Sequence, residues 1–173
     1  MRKSLPLYST YAVCAPFEQK TMKLALKWHK PLALKADKDG NGIYTIPLDD
    51  IPTKPGIYIF LRNHCSVFKA LYIGKADNLR SRIKQQLNNL RLMRGIETSA
   101  TGKRLLAFGE FIPKQGQQQT KALQRMEKAY IRHYLADGHQ LFNKQGTKIA
   151  RDSIASERST LRKFIPQYLY FEP

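Results

Sequence analysis

The sequence predicts a mixed fold of the α/β type (α+β), in which a β-hairpin and a third strand combine with two helices. Two runs rich in Ile, Tyr and Phe, at residues 56–61 and 67–73, flank a short polar break and are typical of a hairpin. Apolar residues recur at helical spacing in two later segments. The length of 173 residues suits one domain with a substantial core.

The chain is strongly basic, with 30 Lys and Arg against 13 Asp and Glu and a formal net charge of +17. Such an excess repels itself unless a polyanion is bound, so nucleic acid is the expected partner and an anionic membrane surface the alternative. No apolar run approaches the roughly 20 residues of a membrane span. Residues 1–6 lack the apolar segment of a signal peptide, and we therefore expect a cytoplasmic protein with no membrane partner. Cys14 and Cys65 fit reduced thiols.

The chain divides into an N-terminal extension at residues 1–50, a core at 51–144 and a C-terminal extension at 145–173. Alternation of apolar and basic residues over 22–29 predicts a strand in the first part. The sequence DKDGNG at 37–42 predicts a tight turn. It matches the start of a calcium loop, but position twelve is Leu48 instead of the bidentate Glu, which argues against calcium.

The core begins with the hairpin, which follows the proline-bounded segment 52–55 and breaks at 62–66. Gly74 is expected to end the second strand, and Asp77 to cap the next helix. Gly95 is expected to end that helix. Its buried face is marked by four apolar residues at helical spacing: Leu79, Ile83, Leu87 and Leu90.

Polar residues lie on both flanks of this predicted helix. Arg82 and Gln86 share one flank. A basic set covers the other flank and its surroundings and is expected to hold a phosphate backbone, the alternative being a solvated face. It comprises Arg80, Lys84, Arg91, Arg94, Lys103 and Arg104.

The rest of the chain continues with a loop at 95–102, a third strand at 104–112, a loop at 115–119 and a second helix at 120–136 that stops near Gly138. A helix at 152–163 and a short strand at 167–171 are expected in the tail.

Glu127 falls inside the apolar face of the second helix. Burying an unpaired carboxylate costs several kcal/mol or shifts its pKa, and a metal ion or an arginine would remove that cost. The alternative is a carboxylate at the edge of the face that reaches water or a lysine. Arg82, Tyr58 and Tyr72 have structural alternatives too, as a packed arginine stem and as cross-strand aromatic residues.

Four segments together resemble the GIY-YIG nuclease superfamily, in its order and over about residues 52–144. They are PGIYI at 55–59, YIGKADNLRSRI at 72–83, Met126-Glu127 and Phe142-Asn143. A second GIY string at 42–44 lies too far upstream of Tyr72 to form one hairpin with it, and we set it aside.

The resemblance implies a small central antiparallel sheet of about three strands flanked by helices. It also implies hydrolysis of DNA phosphodiester bonds with one Mg²⁺ or Mn²⁺. On this chain it makes Glu127 the metal ligand and Arg82 the stabiliser of the transition state. Tyr58 and Tyr72 would position or deprotonate the attacking water, and Asn143 would brace the site.

Proton transfer is the less defined part of this interpretation. A free tyrosine, with a pKa near 10, is a poor base at neutral pH. We expect Lys75 to lower the pKa of Tyr58 or to contact a phosphate. Many members of the superfamily carry His at the position of Gln86, and a glutamine can bind phosphate but cannot take up a proton.

The expected function is a metal-dependent DNA endonuclease of restriction or defence, cutting both strands as a homodimer because each chain has one site. The extensions would then supply sequence readout or dimer contacts. If the protein is an enzyme with another role, the alternative is a nuclease of repair, recombination or mobile elements. If it is not an enzyme, the alternative is a non-catalytic nucleic-acid-binding protein with the same fold.

Overall fold

The computed structural model describes residues 23–37 and 42–143, together with the backbone of residues 152–155 and 168–171. Its elements follow in chain order: β1 (Ala25–Trp28), β2 (Leu32–Ala33), β3 (Lys35–Ala36), β4 (Tyr44–Thr45), a 3₁₀ turn (Leu48–Asp50), β5 (Gly56–His64), β6 (Val67–Ala76), α1 (Leu79–Leu87), α2 (Leu90–Thr98), β7 (Lys103–Ile112), α3 (Gln119–Ala136), β8 (Asp152–Ala155) and β9 (Tyr168–Phe171).

The central sheet is antiparallel and runs in the order β1-β7-β5-β6, with β2 also paired to β7. The three strands predicted from the sequence, β5, β6 and β7, form its middle and one edge, which confirms the α+β prediction. Within the described ranges, β6 has β5 on one side and no strand on the other. The pairs β3-β4 and β8-β9 form two small separate ribbons.

One face of the sheet packs against α1 and α2. Tyr58 and Phe60 of β5 point to this face and join a buried cluster with Leu79, Ile83 and Met93 of the two helices. Side chains alternate along a strand, so the intervening residues must face the other way.

The opposite face packs against α3. Ile57, Ile59 and Ile73 are buried there with Leu123 and Met126 of the helix. The outer edge of β6 can therefore be reached from α1 on one face and from α3 on the other.

The hairpin of β5 and β6 is longer than the sequence indicates. Its register pairs Tyr58 with Gly74 and Phe60 with Tyr72, so the two tripeptides of the motif lie side by side. The predicted break at 62–66 is wrong except at Cys65 and Ser66, whose positive φ angles of 48° and 64° make the turn. The strand also continues past Gly74 to Ala76, because a glycine in a paired strand keeps its place in the ladder.

Gly74 is required by packing. The ring of Tyr58 lies over its α-carbon, and a β-carbon at residue 74 would overlap the ring atoms and the hydroxyl. Because Tyr58 of β5 occupies this space, residue 74 of β6 must be a glycine.

The single helix predicted at 77–95 is wrong, because α1 and α2 are separate helices. The side chain of Asn89 accepts a hydrogen bond of 3.2 Å from the N–H of Leu92 and so begins a new helix. Leu90, expected on the buried face, is 52% exposed, and Gly95 lies within α2. Asn78 caps α1 through Ser81 in place of Asp77.

The later elements are mostly as predicted. β7 and α3 match their predicted spans within one residue, and Gly138, at a φ of 73°, follows the end of α3. The helix predicted at 152–163 is wrong at 152–155, which pairs as a strand with 168–171, a span within the strand predicted at 167–171. Residues 156–163 lie outside the described residues, as do Cys14 and positions 38–41 of the predicted turn.

The predicted N-terminal extension contributes to the core fold. β1 falls in the segment predicted as a strand and extends the sheet beyond β7. Leu34 and Ile46 are buried in the cluster beneath α1. The domain boundaries stay a prediction. None of the described helices is both long and apolar enough to span a membrane.

The packing of Tyr58 over Gly74 is tested by Gly74→Ala. Because the added methyl overlaps a fully buried ring, we expect a loss of about 1–3 kcal/mol in the free energy of unfolding measured in urea. Gly42→Ala is the control, since a β-carbon there has its nearest neighbour at 3.6 Å. Equal stability of the two variants would contradict the packing argument.

Candidate active site

A cleft of about 410 Å³ opens where β6 ends and α1 begins, with α3 along its other side. Its walls bring together five of the residues predicted for catalysis or substrate binding: Tyr58, Tyr72, Lys75, Arg82 and Glu127. These residues come from β5, β6, α1 and α3, and the described fold gathers them at one edge of the sheet.

The edge of β6 is held by the chain that follows α3. Asn143 accepts a hydrogen bond of 3.3 Å from the N–H of Ile73 and donates one to the carbonyl of the same residue. The N–H of Phe142 donates to the carbonyl of Leu71 at 2.7 Å. Asn143 therefore holds the strand beside the cleft without lining the cleft, and its role as a substrate contact stays a prediction.

His139 holds the same edge one step farther along. Its Nδ1 accepts a hydrogen bond of 2.9 Å from the N–H of Ala70, so this nitrogen carries no proton. The ring lies 4.9 Å from that of Tyr134. Burial lowers the pKa of His139, and the charge of Lys69 lowers it further. The imidazole is therefore suited to accept this bond at neutral pH.

Glu127 is half-buried in the cleft. Burial raises the pKa of its carboxyl, while the charge and backbone N–H of Lys75, then the charges of Arg82 and Lys128, oppose the rise without cancelling it. The predicted conflict between an apolar face and a carboxylate is thus real, and neighbouring cations reduce it only in part. A bound divalent cation would remove the rest.

Tyr58 is fully buried, with its ring stacked 6.2 Å from that of half-buried Tyr72. Burial raises the pKa of the Tyr58 phenol well above its usual range, the neighbouring Tyr72 raises it further, and Arg82 lowers it. The prediction that Lys75 lowers the pKa of Tyr58 is wrong, because Lys75 acts on Glu127 instead. Tyr58 therefore enters the cleft as a neutral phenol.

The basic residues predicted to hold a phosphate backbone are divided between two helices by the break after α1. Arg80 donates hydrogen bonds to the carbonyls of Ile51 and Asp49, at 2.8 and 3.1 Å, and so ties α1 to the preceding 3₁₀ turn. Lys84 is exposed outside the cleft, and Arg91 stands on the separate helix α2. Arg80 therefore has a structural role, and the phosphate contacts of this basic set stay a prediction.

Gln86 is 5% exposed and does not line the cleft, so in this structure it offers no surface to a substrate. Its neighbour Gln85 lines the cleft and accepts a hydrogen bond from Nη1 of Arg82. Asp77 also lines the cleft, where its carboxylate accepts a hydrogen bond of 3.1 Å from Gln119. Gln85 lies three residues after Arg82, and residues at this spacing share one face of a helix, which is the signal that could have identified it.

The donors in this cleft fit one hard divalent cation. Mg²⁺ keeps several waters and is commonly bound by one or two carboxylates plus substrate phosphates. Glu127 supplies one carboxylate that is incompletely neutralised, in a cleft open enough for water and a phosphate. Across the described residues, no group of three or more His, Cys, Asp or Glu side chains could enclose a metal by itself.

A family model described as the GIY-YIG catalytic domain matches residues 54–143, just over half of the chain. The match contains every cleft residue and leaves out the GIY string at 42–44, as predicted. Searches of curated proteins and of solved structures gave no significant match.

The raised pKa of Glu127 predicts how stability depends on pH in metal-free buffer. The protonated carboxyl is favoured in the folded state, so this contribution is present below the ordinary value of 4.5 and is lost as the pH rises through the folded pKa. Between pH 4.5 and 8, urea unfolding should show wild type losing stability relative to Glu127→Gln. The exposed Glu97→Gln is the control. If wild type became more stable relative to Glu127→Gln as the pH rises, this result would contradict the burial of the carboxyl.

Proposed function

The chain belongs to the GIY-YIG family of nucleases, and from this we propose that it is a divalent-metal-dependent DNA endonuclease. One observation carries the proposal. A half-buried carboxylate with a raised pKa shares a cleft with an arginine, a lysine and two tyrosines. Phosphodiester hydrolysis needs charge stabilisation around the phosphorus together with an oriented water, and these side chains can provide both. The net charge of +17 supports a polyanionic substrate.

Glu127 would hold Mg²⁺ or Mn²⁺, and the ion would supply Lewis-acid polarisation of a phosphoryl oxygen. Arg82 is held by Gln85 on the α1 side of the cleft, where its guanidinium can donate to the phosphate and stabilise the extra charge of the transition state. Lys75 neutralises part of the charge of Glu127 and can contact the same phosphate.

In this scheme Tyr72 orients the attacking water, and the buried ring of Tyr58 supports Tyr72 through their stacking. Because burial raises the pKa of Tyr58, its phenolate is scarce at neutral pH, and the hydroxyl serves as a hydrogen-bonding group instead of a base. Tyr72 is the more accessible member of the stack and lines the cleft beside it. The hypothesis that Tyr58 removes the proton therefore loses its support.

We further propose that the nuclease serves in restriction or defence, in the cytoplasm. One catalytic cleft per chain would require two chains to cut both DNA strands, so a homodimer is the expected assembly. Sequencing the ends of cleaved DNA tests this role. Ends fixed at one short motif agree with restriction, whereas scattered ends would overturn it.

The roles of Glu127 and Arg82 are tested by cleavage of supercoiled plasmid in Mg²⁺. Glu127→Gln should abolish cleavage and retain DNA binding, because it removes the metal ligand and leaves the cations. Arg82→Ala should lose about 10²–10³-fold in rate, the range for loss of one stabilising donor. Lys35→Ala, which removes an exposed cation outside the cleft, should cut at the wild-type rate.

Two results would contradict these assignments. Normal cutting by Glu127→Gln or by Arg82→Ala would remove that residue from the reaction. A wild-type protein that binds DNA and cuts none of several substrates with Mg²⁺ or Mn²⁺ would make the chain a non-catalytic binder.

A further inference from the structure

A second cavity, of about 650 Å³, lies farther along β6 toward the hairpin turn and is larger than the catalytic cleft. It is bounded by the ends of β5 and β6, the C-terminal part of α2 and residues 138–142. None of its lining residues has a part in the reaction proposed above. Its volume lies in the range of small-ligand sites.

The cavity is cationic. Arg62 and Lys69 both line it and are direct register partners across β5 and β6. Like charges directly opposite each other destabilise a sheet, so this pair destabilises the hairpin unless an anion lies between the two cations. Nη1 of Arg62 is fixed by a hydrogen bond of 3.1 Å to the carbonyl of Thr101. No acidic residue is among the described residues that line the cavity.

A third cation, Arg104, binds the backbone carbonyls at the end of α2, which are the main source of negative potential near the cavity. The C-terminal end of α2 borders the cavity, and its free carbonyls would repel an anion. Arg104, the register partner of Arg62 on β7, donates hydrogen bonds to the carbonyls of Ile96, Glu97 and Ser99. Arg62 and Lys69 are thus left as the charges that face the cavity.

An aromatic ring forms part of the cavity wall. Phe142 is 48% exposed although its backbone is fixed by the hydrogen bond to Leu71. The ring lies against Gly95, where a β-carbon would approach it to 3.3 Å. Glycine within a helix is less favourable than alanine, and the space that Gly95 leaves is occupied by this ring.

We propose that this cavity binds one nucleotide of the DNA substrate, with Arg62 and Lys69 on its phosphate and the base stacked on Phe142. Positive grooves with stacking aromatic residues are the usual chemistry for binding unpaired nucleotides, because every base has a face that can stack. The inference rests on the nuclease function proposed above. It adds that the substrate presents an unpaired or extruded base at a fixed distance from the scissile phosphate.

The distance follows from the strand. On β6, residues 69–71 line the cavity and residues 72, 75 and 76 line the cleft, so the centres of the two sets are about four residues apart, or on the order of 13 Å at about 3.3 Å per residue. This corresponds to roughly four nucleotides of B-form DNA at 3.4 Å each. The site would thus select a DNA distortion near the cut.

Scanning a fluorescent base through the substrate tests the stacking. Oligonucleotides with 2-aminopurine at successive positions are bound to the Glu127→Gln protein. One position within about six nucleotides of the cleaved bond should change in fluorescence at least twofold. The change should disappear with an added Phe142→Leu and persist with Phe68→Leu, an exposed phenylalanine outside the cavity. No position-specific change, or equal loss with both, would overturn the inference.

The phosphate contact is tested by Arg62→Gln with Lys69→Gln. This double variant should weaken DNA binding and reduce the slope of log K against log salt by about one, because both cations contact the same phosphate. Lys35→Gln with Lys114→Gln, two exposed lysines elsewhere, is the charge-matched control. If wild type cuts DNA and the two double variants have the same slope, this inference fails by itself. If wild type neither binds nor cuts DNA, the proposed function fails first.

Discussion

The outer edge of β6 is the constraint on which the site depends. Strand edges carry backbone groups that must find partners, and here those partners come from α3 and from the chain that follows it. The side chain of Asn143 hydrogen-bonds both the N–H and the carbonyl of Ile73, and the ring of His139 accepts a hydrogen bond from the N–H of Ala70. The backbone N–H of Lys75 continues the row to the carboxylate of Glu127. The contacts that protect the sheet from edge pairing therefore also fix where the acid of α3 meets the cleft.

The proposed catalytic set is assembled from both faces of the sheet. Tyr58 and Arg82 come from the face covered by α1, and Glu127 comes from the helix on the other face. Only around an edge strand can such side chains meet, because a paired strand would lie between them. Gly74 belongs to the same arrangement, since it leaves the space beneath Tyr58 that lets the ring reach the cleft while buried. Burial continues to oppose the charge of Glu127, which is why the pKa of its carboxyl stays raised.

Sequence periodicity predicted the hairpin, β7 and α3, and with them the odd position of Glu127, because each of these is a local pattern. It did not predict the break between α1 and α2. The apolar spacing continues across the break. The new helix begins where the N–H of Leu92 donates a hydrogen bond to the side chain of Asn89. It also could not separate structural from functional cations. Arg80 is bound by carbonyls about 30 residues away in sequence, and only the fold brings them together.

The most direct test of this account is site-resolved amide hydrogen exchange along β6. Unpartnered amides on a sheet edge exchange quickly, whereas hydrogen-bonded ones are protected. We predict strong protection of Ala70, Ile73 and Lys75 on the outer edge, comparable to the amides that face β5. Fast exchange at Ala70 and Ile73 would show that the chain after α3 does not hold the edge. Fast exchange at Lys75 would remove the structural reason for the position of Glu127.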